Sequence, residues 1–156
     1  DPEITGGIYL GGTGSANYLD DYETGTWTVQ VFGSSGSPGS FSQTAFGGQY
    51  IKFGSLVYVS FAVLVNDVGS YSGELRFGNL PFTVVTPNNN QGHYGNVRTQ
   101  SMNLSTDGYS TLEVANGMTY ARIQISRPNT GNNALQYSAL NNGSYIAGSI
   151  TYTTSA

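Results

Sequence analysis

The sequence predicts an all-β domain: an antiparallel β-sandwich of jelly-roll type with about eight to ten strands, preceded by an extended glycine-rich N-terminal segment. Three observations carry this prediction. Apolar and polar residues alternate with period two along most of the chain, the pattern of strands with one buried face. No stretch shows the 3.6-residue period of an amphipathic helix. Glycine accounts for 22 of 156 residues and charged residues for only 9%, against about 25% charged in an average domain. The polar remainder is mainly Ser, Thr, Asn and Gln, which is strand and turn chemistry. At 38% hydrophobic, the chain has material for one core, as its length also suggests.

In chain order, residues 1–24 read as an extended connecting segment. Its apolar residues (Ile4, Ile8, Tyr9, Leu10, Tyr18, Leu19) are too sparse for a core and must lean on something else. Residues 25–156 read as the sandwich. In TWTVQVF, Trp27, Val29 and Val31 share one face and Thr26, Thr28 and Gln30 the other, as a half-buried strand requires. The stretch GSSGSPG, residues 33–39, reads as a loop. SLVYVSFAVLV, residues 55–65, is apolar on both faces and reads as a central strand buried on both sides. Further strands are predicted over 48–53, 72–78, 110–116, 118–126 and 144–154, each bounded by Gly, Asn or Pro. Asn116-Gly117 signals a two-residue type I′ hairpin. Pro87–Gln91, Pro128–Asn133 and Asn141-Asn142-Gly143 read as surface loops. No repeat of about 20 to 50 residues recurs, so a propeller or solenoid is not supported.

Charge narrows the partners. The formal net charge is −4, and the five basic residues, Lys52, Arg76, Arg98, Arg122 and Arg127, stand singly. A phosphate backbone would find no basic footprint, so nucleic acid is not an expected partner. No apolar run of about 18 residues is present to insert in a membrane, and the opening DPEITGG lacks the features of a signal peptide. There is no cysteine, hence neither a disulfide framework nor a thiolate metal site.

No catalytic set is recognisable, and the sequence reading is of a non-enzyme without cofactors. His93, the sole histidine, lies in QGHYG with no nucleophile elbow or orienting acid in its neighbourhood; an exposed or edge-strand residue is its default. Asp20, Asp21 and Glu23 form the one acidic cluster. Such clusters hold calcium or serve as glycosidase acids, but the spacing lacks the regularity of a calcium loop. A capped turn leading into the Trp27 strand is the preferred reading, leaving these three as weak metal candidates. LGGTG, residues 10–14, follows no buried strand and precedes no helix, so it is no phosphate loop. Asn103-Leu104-Ser105 and Asn142-Gly143-Ser144 match the glycosylation pattern, which arises readily by chance in an Asn- and Ser-rich chain. The twelve tyrosines are more informative. Tyr71, Tyr94, Tyr109, Tyr137 and Tyr145 stand beside Gly, Ser or Asn in or near predicted loops, a chemistry suited to an adaptable binding surface. With His93 they are the candidate ligand-binding residues, although tyrosine is also a favoured strand and interface residue.

At GGIYLGGTGSANYLDDYETGTWT, residues 6–28, and GGQYIKFGSLVYVSF, residues 47–61, the chain resembles the C-terminal head domains of tail fibres from tailed bacteriophages, particularly marine ones. FGNLPFT, residues 77–83, is a third match, and the likeness covers roughly the first 85 residues. Proline commonly follows the GTWT element in that family, whereas Val29 stands here and keeps its backbone donor. The resemblance implies a shaft end over residues 1–24 and a head over 25–156, in a homotrimeric component of the virion at the distal tail fibre. It implies attachment to a host-surface glycan or protein. Two alternatives accompany that expectation: a purely structural domain that trimerises and caps a fibre, and a tailspike-type enzyme that degrades polysaccharide.

Overall fold

The computed structural model describes residues 7–9, 11–12, 18–19, 21–86, 92–104, 108–128 and 131–155. Among these, twelve strands follow in order: β1 (Ile8–Tyr9), β2 (Tyr18–Leu19), β3 (Tyr22–Trp27), β4 (Gln30–Ser37), β5 (Ser42–Phe53), β6 (Leu56–Asp67), β7 (Ser70–Gly78), β8 (His93–Gln100), β9 (Tyr109–Val114), β10 (Ala121–Arg127), β11 (Gly131–Ala134) and β12 (Tyr145–Thr153). A single turn of 3-10 helix, Tyr137–Ala139, stands between β11 and β12, and no α-helix occurs among the described residues. β1 and β2 pair with each other. The other strands form one antiparallel sheet in the order β3-β5-β6-β12-β8-β9-β10-β7-β4, with β11 on β10. This sheet curls into a half-barrel whose two halves face each other, the sandwich-like all-β fold that the alternation predicts.

Two seams join the halves. At one, β8 changes sheets: Asn96–Gln100 pair with β12, while His93–Gly95 pair with β9. Strands that turn such corners are the usual device of orthogonally folded sheets. Gly95 stands at the turn, where an added Cβ would lie 2.2 Å from the Ser149 carbonyl oxygen and 2.7 Å from Ile150 Cβ. At the other seam, the predicted TWTVQVF strand divides. Trp27, Val29 and Val31 are all buried as expected, but the strand breaks at Thr28–Val29. β3 then pairs with β5, and β4 with β7. Gln43 on β5 bridges the break: its Oε1 accepts from Val31 N at 2.8 Å and its Nε2 donates to the Val29 carbonyl at 2.6 Å. The amide thus supplies the bonds that a ladder would otherwise make for two buried backbone groups.

The core lies between the halves. β6 contributes Val57, Val59, Phe61, Val63 and Val65, and facing strands contribute Leu75, Phe77, Leu112, Ile123 and Ile125. Burial of this apolar set is the main stabilising term.

Several expectations are corrected. β6 is central, between β5 and β12, but only one face is buried; Leu56 and Tyr58 on the other are 50% and 41% exposed, because no second layer covers that side. GSSGSPG is largely strand, since β4 runs to Ser37. As an edge strand with exposed serines, β4 needs only its ladder to β7 and little apolar content. Neither β8 nor β11 is among the expected strands, and the Pro128–Asn133 loop is shortened because β11 starts at Gly131. β3 begins at Tyr22, inside the segment expected to be a connector. Asn116-Gly117 does lie in a hairpin, but the connection between β9 and β10 has six residues, Ala115–Tyr120. Met118 N donates to the Ala115 carbonyl at 3.0 Å and Gly117 has φ +76° with Asn116 outside the positive-φ set, the pattern of a type II turn rather than I′. The Pro87–Gln91 stretch lies outside the described residues.

Candidate functional site

A cavity of about 460 Å³ opens at one end of the sandwich, within the size range of small-ligand sites. The β10–β11 ladder forms one wall. Ile125 pairs with Asn133 and Arg127 with Gly131, and directly opposed residues share a face, so Arg127 and Asn133 stand beside an apolar floor of Ile125 and Leu135. Gln136, Ser138 and Ala139 complete the lining with Asn103. Asn103 N donates to the Ala139 carbonyl at 2.8 Å, which ties the two segments of that second wall together.

Hydrogen bonding leaves much of this lining available. Among the described residues, no side-chain hydrogen bond or ion pair engages Arg127, Asn133 or Ser138. Asn103 uses its Nδ2 on Asn141 Oδ1 at 3.2 Å, and Gln136 its Nε2 on the Ala134 carbonyl at 3.1 Å; the carbonyl oxygen of each amide is not engaged. Behind the wall, Ser101 has φ 58°, and its carbonyl accepts from Asn141 Nδ2 at 3.1 Å and Ser144 Oγ at 2.8 Å. These bonds hold the chain in a conformation that a non-glycine residue rarely adopts.

The sequence-predicted residues fall in different places. Tyr137 is 3% exposed; its hydroxyl donates to the Val68 carbonyl at 2.8 Å and its ring packs edge-on to Tyr71, centroids 5.5 Å apart. Burial, with the nearby Tyr71 and Asp67, pushes its phenol well above the ordinary range. It cannot touch a ligand, and the expectation that it does is withdrawn. It instead anchors the turn that carries Ser138 and Ala139. Tyr71 supports it, half-buried between Tyr137 and Phe41. Tyr145 is half-buried on the outer face of β12, beside Phe46 at 6.1 Å and under Arg98 at 5.9 Å. Tyr94 and Tyr109 are exposed, 59% and 80%. Tyr109 pairs with Ser126, next to Arg127, at the cavity's end of the sheet. His93 begins β8, the end remote from Ser101 and Asn103; its Nε2 lies 3.1 Å from Thr153 Oγ1, and burial lowers its pKa. The candidate ligand residues therefore do not converge on one place.

Of the acidic cluster, Asp20 lies outside the described residues. Asp21 is engaged in an ion pair with Lys52, and Glu23 stands opposite Lys52 in the β3–β5 ladder. Among the described residues no three acidic or histidine side chains gather as a metal site would require. The structure brings together a different pair. Glu74 and Glu113 flank Arg122, whose Nε donates to Glu113 at 2.8 Å and whose Nη1 lies 3.6 Å from Glu74, while Arg76 also pairs with Glu74 at 3.1 Å. Tyr120 stacks over Arg76 at 4.4 Å. This ladder joins the outer faces of β7, β9 and β10.

The half-barrel defines the chain as a sandwich-like β domain with a cavity of mixed polar and apolar lining at one end. It is similar to part of a solved structure, the crystal structure of the Dettilon tailspike protein (gp208), at 16% identity and a TM-score of 0.62, over 83% of this chain. The chain spans 23% of the length of that tailspike. No protein-family model matches the sequence, and no curated protein matches it. This likeness overturns one expectation. The absence of a recognisable catalytic set led to a non-enzymatic reading, but the fold is shared with a tailspike, a class that is typically enzymatic, so that reading is withdrawn.

Proposed function

We propose that this chain is a host-attachment domain of a bacteriophage tail protein, which holds a cell-surface saccharide in the cavity between β10–β11 and the Tyr137–Ala139 turn. The carrying observation is the cavity itself: an apolar floor rimmed by amides, a hydroxyl and a guanidinium that protein partners leave available. A sugar ring presents the complementary surface, one apolar face edged by hydroxyls. The resemblance to tail-fibre heads and the fold likeness to a tailspike both support a tail component of the virion. A homotrimer belongs to the same proposal, since three weak sites on one fibre gain avidity without further contacts.

The experiment is adsorption of fluorescently labelled protein to bacteria that the phage infects, together with competition of infection by excess unlabelled protein. Ser138→Trp, a substitution at an exposed position on the rim, is expected to fill the cavity. It should reduce adsorption at least about tenfold, with the melting temperature unchanged. Full adsorption by this variant would exclude the cavity, and no adsorption by the unmodified protein would sink the attachment reading.

The tailspike likeness also favours a second reading, cleavage of the bound polysaccharide. Among the described residues no carboxylate lines the cavity. The paired acids Glu74 and Glu113 are the residues to test, by loss of polysaccharide chain length on incubation and its abolition in Glu113→Gln.

A further inference from the structure

Four of the five basic side chains have partners: Lys52 pairs with Asp21, Arg76 with Glu74, Arg122 with Glu74 and Glu113, and Arg98 lies over the Tyr145 ring. Arg127 has neither an anion nor a ring among the described residues, and it is the one that lines the cavity. It is exposed, at the last position of β10, and among the described residues no Asp or Glu shares the lining. In a chain of formal charge −4, a cation that has no partner among the described residues and lies beside a cavity is suited to an anionic group. A guanidinium offers a planar fork that matches a carboxylate or phosphate with two parallel hydrogen bonds.

Resting on the attachment reading, we propose that the cavity takes an acidic sugar, a residue carrying a carboxylate or a phosphate group, with Arg127 pairing the anion. Asn133, Ser138 and the carbonyl oxygens of Asn103 and Gln136 take the remaining hydroxyls. Ile125 and Leu135 meet the apolar face of the ring. Selectivity for charge then resides in Arg127, and selectivity for the sugar's hydroxyl pattern in the amides, which bond neutral and charged sugars alike.

The test is calorimetric titration of the intact chain with matched oligosaccharides: oligogalacturonate against oligogalactose, oligoglucuronate against oligoglucose, and phosphorylated oligomannose against oligomannose. At least one acidic member should bind about tenfold or more tightly than its neutral counterpart, the scale of a charge-assisted bidentate pair. That preference should shrink as salt is raised and vanish in Arg127→Gln, with the melting temperature unchanged. The carboxylate and phosphate arms separate the two sources of the anion. Equal affinity for charged and neutral members, a preference that survives Arg127→Gln, or no saccharide binding at all overturns the inference. Each of these outcomes leaves host attachment itself standing, because that part of the reading fails when the unmodified protein does not adsorb to host cells.

Discussion

Lys52 is 5% exposed, a degree of burial that an ammonium tolerates only with a partner. Asp21 supplies the charge and the Phe82 ring, 5.5 Å away, a second favourable contact. The acid that the sequence offered as a weak metal ligand therefore has a structural duty, and it fastens the chain just before β3 to β5. Removing one partner of such a pair leaves an uncompensated buried charge. Asp21→Asn should cost about 3 kcal/mol of stability, the lower end of the range for buried pairs because Asp21 keeps one third of its side chain in water. Replacing both, Asp21→Asn with Lys52→Met, should recover most of the loss. Urea midpoints of the two variants check this; a single variant within about 0.5 kcal/mol of the parent would show that the pair is a surface contact.

At the scale of elements, what the sequence showed depended on how many faces each strand buries. β6, β7, β9, β10 and β12 each carry an alternating apolar face, and all were legible. β8 was not, because its side chains are half-buried or exposed along its whole length and it owes its place to two ladders rather than to burial. The site was less legible than the fold. The cavity assembles from Asn103, the β10–β11 hairpin and the turn at Tyr137, whose proximity depends on pairings that no local pattern encodes. The Glu74–Arg122–Glu113 ladder was missed through turn length: a two-residue turn at Asn116-Gly117 would set Glu113 opposite Tyr120, whereas the six-residue connection sets it opposite Arg122. The corner in β8 makes its own prediction. A methyl group on Gly95 has backbone oxygen within 2.2 Å, and no side-chain rotation relieves that contact. Gly95→Ala should destabilise by about 2 kcal/mol, in the range for overpacked sites, and should raise hydrogen exchange at Ser149 and Leu112 on either side of the corner. Unchanged protection at both would mean that β8 bends without needing this close approach.

At the scale of the whole molecule, the outer face of β3, β5 and β6 stands out. Tyr22, Phe53 and Leu56 occupy one row of the sheet, and Ile51 and Tyr58 are paired in the next; their exposures run from 41% to 60%. A single exposed apolar residue is ordinary, but five neighbours on one sheet face form the kind of patch that marks an interface. The proposed homotrimer provides the cover, with the face of each copy against its neighbours and the cavity end left open to the host. Light scattering coupled to size-exclusion chromatography should then give a species near three times 16.5 kDa. Ile51→Lys combined with Tyr58→Glu places charges where burial is required, and should yield a monomer with unchanged far-ultraviolet circular dichroism. Such a monomer keeps its cavity and its intrinsic affinity for a saccharide, but should adsorb to cells about a hundredfold more weakly, since avidity is lost with valency. If the unaltered protein is a monomer at micromolar concentration, the patch faces some other surface and the trimer must be abandoned. If the charged variant stays trimeric, the copies meet through some other surface.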